Sequence, residues 1–377
     1  MEELQLIATT AFGLEAVLKR EAINLGFKDI KVSDGRVRFK GSIRDMVMAN
    51  MHLRTADRIL IELGRFEAKT FEELFDKVYD IDWPQILTED AKFLVNGRSV
   101  KSKLFSISDC QRITEKAIIE KLKTKYNISY FQKSGPRYSL EVSLLKDMAT
   151  ITLDTSGESL HKRGYRKKQR IAPIKETMAS AMVQLSFWKA DRPLFDPFCG
   201  SGTILIEAAM LAKNIAPGID RKFDFENWEA FDKDILKKIR QEALANIDHD
   251  LKLDIIGTDI DKMSINFAKD NAFNIGLEDS IEFIHEDFRN LKLEDNYGVL
   301  ITNPPYGERL NTDDIKSLYV DLGYKMRDLK TWSEYIITSE RDFEKLYKRR
   351  ADRKRKLFNG RIKVDYYQFY GLRPPKN

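Results

Sequence analysis

The chain has 377 residues, 42% of them hydrophobic and 11% aromatic; this is too long for one ordinary core and apolar enough to fold, so two or three domains are expected. No segment reaches the roughly 18 uncharged apolar residues of a membrane span, and the opening MEELQLIATTAFGLEAVLKR carries acids where a secretory leader carries positive charge, so a cytoplasmic location is expected. The net charge is only +5; Cys110 and Cys199 offer no disulfide framework, and His52, His161, His249 and His285 are too scattered for a ligand set, so no metal is expected.

In chain order, LQLIATT reads as a strand and AFGLEAVLKREAINLG as a helix, followed by strands KDIKVSD and GRVRFKG around a turn at Asp34-Gly35. IRDMVMANMHLR is an amphipathic helix leading into strand RILIELGRFEA, helix FEELFDKVYDI and a break at Trp83-Pro84. FLVNGRSVKS reads as a strand with a turn. Ser108 with Gln111 three residues on reads as a capping box, opening a helix with Ile113, Ala117, Ile118 and Leu122 on one side and Lys116, Lys121 and Lys123 on the other. In YSLEVSLLKDMATITLDTSG, Lys146-Asp147 separates two alternating runs, and this α+β region ends near Gly157.

The charge is unevenly placed. Lys92 to Arg137 holds 11 Lys/Arg against 3 Asp/Glu, a surplus larger than that of the whole chain. HKRGYRKKQR at 161–170 and KRRADRKRK at 348–356 are also basic enough to hold a polyanion by releasing its counterions. Each run taken singly also fits a solvated face.

From about residue 160 strands alternate with helices, the pattern of a parallel sheet covered on both faces. The strands are PLFDPF, DIIGTDI, SIEFIHED, YGVLITNPP, SEYIITS and a final pair, RKLFNG with RIKVDYYQFYG; NWEAFDKDILKKIRQEALANID is an inserted helical excursion. Such sheets bind ligands at the carboxyl ends of their strands, and the unusual residues fall there. DPFCGSGTILIEAA runs from a strand through Gly200-Ser201-Gly202 into a helix, whose free N–H groups suit a carboxylate or phosphate. That glycine loop alone is shared by many nucleotide-binding folds. Asp259 closes IIGTD, where an acid can accept from two ribose hydroxyls, and Asp287 follows IEFIHE, placed to accept from an adenine amino group. Cys199 has no base-like neighbour and reads as a small packing residue.

Asn303-Pro304-Pro305-Tyr306 is the most specific signal. A purine amino group is a poor nucleophile because its lone pair is delocalised into the ring. If the Asn303 side-chain oxygen and the Pro304 carbonyl each accept one N–H, the nitrogen moves toward tetrahedral geometry and its lone pair points at a methyl group. The prolines stiffen the loop, and Tyr306 offers a face on which an extruded base stacks.

With these motifs in order, residues 160–377 resemble the class I methyltransferases that modify exocyclic amino nitrogens. The resemblance implies an α/β, Rossmann-like domain with a mostly parallel sheet and S-adenosylmethionine as cofactor. Asp196, Pro197, Phe198, Gly200, Gly202 and Thr203 would hold it, with Asp259 and Ile260 at the ribose, Asp287 and Phe288 near the adenine, and Asn303 beside it. Asn303, Pro304, Pro305 and Tyr306 would carry catalysis. The stretch HKRGYRKKQRIAPIKETMASAM resembles the lead-in that supplies cofactor contacts in the same family, which makes Arg170, Ala172, Pro173 and Lys175 neighbours of the site.

The first half is similar to a ferredoxin-like module (1–55) followed by a THUMP domain (45–157), an α+β pair that binds RNA in tRNA- and rRNA-modifying enzymes. Lys101, Lys103, Arg112, Lys116, Arg163, Arg166, Lys167, Lys168 and Arg170 are the expected RNA contacts. Jointly, the chain is similar to bacterial 23S rRNA guanine-N2 methyltransferases, some of which carry a second methyltransferase domain. Expected, then, is methylation of a guanine N2 in 23S rRNA or its precursor. Guanine N2 of tRNA, adenine N6 of DNA, a protein glutamine, and a non-enzymatic role as an RNA-binding assembly factor remain alternatives.

Overall fold

The computed structural model describes residues 3–128, 130–167, 174–305, 312–360, 362–373 and 375. The apolar run Leu4–Thr9 makes strand β1, with Leu6, Ile7 and Ala8 all buried. Helix α1 (Glu15–Asn24) begins later than its sequence pattern suggests, because Gly13 sits at φ 94° and Leu14 is its N-cap. Strands β2 (Lys28–Ser33) and β3 (Arg36–Gly41) flank the Asp34-Gly35 turn. Reciprocal capping by Ser42 with Asp45 starts α2 (Ile43–His52), and the same device, Thr70 with Glu73, follows β4 (Arg58–Glu67) and starts α3 (Phe71–Tyr79).

The region Lys92–Val100 is one uninterrupted strand, β5, with its turn after it. Helix α4 (Ile107–Tyr126) is capped two residues earlier than expected: Ser106 is the N-cap, its hydroxyl bonds Asp109, and Gln111 instead reaches the Val95 carbonyl at 2.9 Å. The hairpin of β6 (Arg137–Leu145) and β7 (Met148–Asp154) turns at Lys146 and Asp147, both with positive φ.

The ferredoxin-like and THUMP segments are not separate layers, since all seven strands form one sheet in the order β2-β3-β1-β4-β7-β6-β5, antiparallel except for β5 with β6. The helices α1, α2 and α4 pack on one face. The other face is concave: a register shift between Glu62 and Gly64 accentuates the twist, and Arg36 of β3 meets Glu141 of β6 at 3.3 Å although three strands lie between.

The second half follows the doubly wound pattern. Its elements are α5 (Glu176–Leu185), β8 (Leu194–Asp196), α6 (Thr203–Ala212), α7 (Lys233–Ala245), β9 (Ile255–Asp259), α8 (Lys262–Phe273), β10 (Glu282–His285), β11 (Val299–Thr302), α9 (Thr312–Met326), β12 (Ser333–Thr338), α10 (Phe343–Leu346), β13 (Arg353–Asn359) and β14 (Ile362–Phe369). The sheet order is β10-β9-β8-β11-β12-β14-β13, with only β14 antiparallel to its neighbours. The order reverses between β8 and β11, and that crevice is where such sheets bind ligands.

The halves are packed together through polar contacts that need close approach. The Gly218 N–H donates to Met51 O at 2.9 Å, and a Cβ there would lie 2.8 Å from the Met51 Cα. Arg54, buried, donates to Ile215 O at 2.7 Å. Among the described residues no helix is long and apolar enough to cross a membrane, and no group of three His, Cys, Asp or Glu could hold a metal.

Candidate active site

Four strand ends, those of β8, β9, β10 and β11, converge on a pocket of about 340 Å³ lined by Asp196, Pro197, Phe198, Gly200, Thr203, Asp259, Ile260, Asp287, Phe288, Asn303 and Pro305. Gly202 and Pro304 stand just behind that lining. The geometry of the glycine loop follows from its residues. Gly200 and Gly202 both take positive φ, 54° and 81°, which a side chain would resist. At Gly202 a Cβ would also lie 2.8 Å from Phe283 Cζ and 3.1 Å from Ala268 Cβ, so glycine is what lets the start of α6 sit against these side chains of β10 and α8. The Gly200 N–H donates to Asp259 Oδ2 at 3.0 Å, and the other oxygen accepts from the Asp261 N–H at 2.9 Å. Asp259 thereby fixes the loop to the end of β9.

Asp196 is enclosed, accepting from the Thr302 hydroxyl at 2.5 Å and the Phe198 N–H at 3.1 Å. Burial pushes its pKa up to about 7, against the pull of those two donors, with nearby Asp259 adding to the rise. Phe198 and Phe288 pack edge to face at 5.1 Å to form an apolar wall. Asp287 is held by Arg289 at 2.7 Å, which also bonds Asp321 at 2.7 Å.

At the end of β11, the Asn303 side-chain Oδ1 is buried and has no hydrogen-bond partner among the described residues. A buried acceptor left unpaired costs about 1–3 kcal/mol, so its retention beside a pocket calls for a ligand donor. The following loop is pinned where the Tyr319 hydroxyl donates to Pro305 O at 3.2 Å. Tyr306, Lys168, Arg170, Ala172 and Pro173 lie outside the described residues.

Two expected RNA contacts are corrected. Arg163 is only 2% exposed, ion-paired with Glu207 at 3.3 Å and bonded to Leu160 O at 2.7 Å. Arg166 pairs with Glu176 at 3.2 Å and donates to Thr203 Oγ1 at 3.0 Å, its side chain 7% exposed. Both cations are structural ties that dock the lead-in onto α5 and α6; neither faces solvent. Lys101, Lys103, Lys116 and Lys167 are exposed, with the Lys116 ammonium over the Phe75 ring, and exposed Arg112 pairs with Asp109. Lys175 is half-exposed, 3.8 Å from Asp57.

Ile174, Ser201, Ile204, Asp261, Ser264, Phe267, Arg289 and Leu318 also line the pocket, unforeseen from sequence. Asp261 carried a readable signal, since it is the N-cap of α8 and bonds Ser264. Phe267 and Leu318 carried none. Cys199 is buried, with its thiol pushed well up by burial, as befits a packing residue. A larger hollow of about 730 Å³ at the opposite, amino ends of β9 and β10 carries none of the motif residues.

Comparison with known proteins agrees with this geometry. Residues 163–368 match the RMKL-like methyltransferase domain, 5–60 the RlmL ferredoxin-like domain and 68–154 the THUMP domain. The chain is 48% identical, over its whole length and 98% of the relative's, to the Bacillus subtilis (strain 168) protein YpsC, whose name proposes an RNA methyltransferase. It is 36% identical to ribosomal RNA large subunit methyltransferase K/L of Buchnera aphidicola over 89% of this chain, and spans about half of that relative (49%). Among solved structures, SMU.472, complexed with SAH, superposes with a TM-score of 0.94 at 46% identity over 100% of both chains. A Listeria monocytogenes protein named for a prediction of N6-adenine-specific DNA methylation gives 0.94 at 46% identity, covering 99% of this chain and 97% of that one. The chain therefore belongs to the RMKL-like methyltransferases, with RlmL ferredoxin-like and THUMP domains ahead of the methyltransferase domain.

Proposed function

We propose that the chain transfers a methyl group from S-adenosylmethionine to the exocyclic N2 of a guanine in 23S rRNA. The observation that carries this reading is the buried, unpartnered Oδ1 of Asn303 at the pocket wall. Family membership and the 46% identical neighbour solved with SAH support the cofactor. The residues fit it: the α6 N-terminus faces the glycine loop, Asp259 stands at a strand end for a ribose, and Phe198, Phe288 and Phe267 supply apolar walls. When bound, S-adenosylmethionine supplies an electrophilic methyl on a sulfonium.

The chain's own part is to hold the amine. Asn303 Oδ1 and the Pro304 carbonyl accept its two N–H groups, localising the lone pair so that nitrogen bonds to the methyl carbon as the carbon–sulfur pair returns to sulfur. The excess proton leaves the nitrogen for solvent through these acceptors. Alignment, with no strong base, supplies the rate. The THUMP domain and the basic stretch Lys92–Arg137 favour RNA, and the K/L relative's name favours large-subunit rRNA.

The test incubates purified protein with labelled cofactor and unmodified 23S rRNA, then identifies the labelled nucleoside by mass spectrometry. N2-methylguanosine is expected. Label in tRNA alone would move the substrate; label in DNA adenine and none in RNA, the chemistry named for the Listeria protein, would overturn the reading.

A further inference from the structure

The concave face of the first sheet takes no part in the chemistry above, yet its hollows end at Lys175, the residue next to the catalytic pocket's Ile174. A cleft of about 730 Å³ lies over it, lined by Arg36, Arg58, Asn96, Arg98, Arg137 and Ser139 and closed at one end by Asp57 and Lys175. The same Asp57 and Lys175 line a second hollow of about 380 Å³ with Phe12 and Phe358. Ile174, the residue before Lys175, lines the catalytic pocket. Residues 174–175 thus stand between the catalytic pocket, on the Ile174 side, and the two hollows by the first sheet, on the Lys175 side.

The charges of the cleft are unevenly matched. Arg36 and Arg58 are paired with Glu141 and Asp154. Among the described residues no acid pairs with Arg98, which donates only to the Ser143 hydroxyl at 3.2 Å, or with the exposed Arg137. Burial and the neighbouring Arg98 hold Arg36 below its ordinary range, a crowding of guanidiniums that an anion would relieve. Beside the second hollow, Phe12 is 54% exposed and meets Phe358 edge-on at 5.7 Å, leaving one aromatic face to solvent. Positive groups along a groove with an exposed aromatic are what a single strand needs, phosphates for the one and a base for the other.

We propose that this groove is the RNA path: a single strand lies over the concave sheet with phosphates against Arg98 and Arg137, passes Lys175, stacks a base on Phe12 and so delivers an unpaired guanine to Asn303. The inference rests on the reading of the chain as an RNA methyltransferase. It places the strand on the sheet face opposite α4, away from Lys116 and Arg112.

The test measures binding of a fluorescent, guanine-containing single-stranded RNA oligonucleotide over a salt series, together with the KM for methyl transfer. Arg98→Ala with Arg137→Ala removes two phosphate contacts, so the slope of log affinity against log salt falls by about 1.4, and binding at ~0.1 M salt weakens about 25-fold. Arg98→Lys with Arg137→Lys restores the slope. Phe12→Ala weakens binding roughly tenfold at unchanged slope. Lys237→Ala with Lys238→Ala, on the exposed side of α7, leaves both at wild type. Wild-type affinity and slope in the double arginine variant, or no RNA binding by the wild type, overturns the groove. If the variants weaken binding as stated but no RNA guanine is methylated, the functional reading fails and the groove stands. Methylation with unchanged KM in all variants gives the reverse.

Discussion

The Thr302 hydroxyl donates to the Asp196 carboxylate at 2.5 Å, with both residues enclosed. Thr302 immediately precedes Asn303, and Asp196 ends the strand that enters the glycine loop, so one hydrogen bond sets the seat of the amine relative to the seat of the cofactor. The two strands are parallel neighbours, paired Leu194 with Val299 and Phe195 with Leu300, which makes this link as rigid as the sheet.

Asp196 makes stability depend on pH in a stated direction. Its folded pKa of about 7 lies above the ordinary carboxylate value, so between about pH 4 and 7 the folded protein keeps a proton that the unfolded chain has released. The stabilisation is fully present below about pH 4 and is lost as pH rises to 7. Asp196→Asn keeps an acceptor for Thr302 and Phe198 but removes the titration. Relative to wild type, its unfolding free energy should climb across that window, by on the order of a few kcal/mol, and level off above 7. Denaturant curves at several pH values check this; parallel wild-type and variant profiles would contradict it.

Glu207 and Arg163 form an ion pair with side chains 0% and 1% exposed. Glu207→Gln leaves the guanidinium buried without its counter-charge and should cost about 3–5 kcal/mol, read as a lowered urea midpoint. A wild-type midpoint would return Arg163 to the solvated run that its sequence neighbours suggest.

The two loop glycines should differ. Gly200→Ala meets nothing within 4 Å and pays only for its positive φ, about 1–2 kcal/mol. Gly202→Ala incurs that and also collides with Phe283 of β10 and Ala268 of α8. Thermal unfolding and calorimetric titration with SAH should both rank Gly202→Ala as the more damaging; equal effects would contradict the packing role.

The strand-end motifs were legible because they are local: Gly200, Gly202, Asp259, Asp287 and Asn303 each follow an apolar run that reads as a strand, and the doubly wound order then gathers them in one crevice. What was not legible depends on distant contacts. Arg163 sits in a basic run and reads as surface, but it alternates with buried Tyr165 about exposed Gly164, a period of two that the charge run hides. The single seven-stranded sheet shared by the first two segments depends on β4 pairing with β7, a register no local pattern encodes. Ser108 yielded the cap to Ser106 because both precede an acidic first turn, and only the backbone decides. Phe267 and Leu318 enter the pocket wall through tertiary packing alone.

The central claim is that Asn303, at the wall of the pocket, holds and activates an amine and is not what holds the cofactor. The direct measurement is single-turnover methyl transfer by Asn303→Ala, paired with calorimetric binding of SAH to the same protein. Transfer should fall about 10²–10³-fold or more, the scale of losing one positioned hydrogen-bonding group at a reacting centre, while SAH affinity stays at the wild-type value. Lost SAH affinity with undiminished transfer at saturating cofactor would make Asn303 a cofactor contact with no hold on the amine and contradict the account.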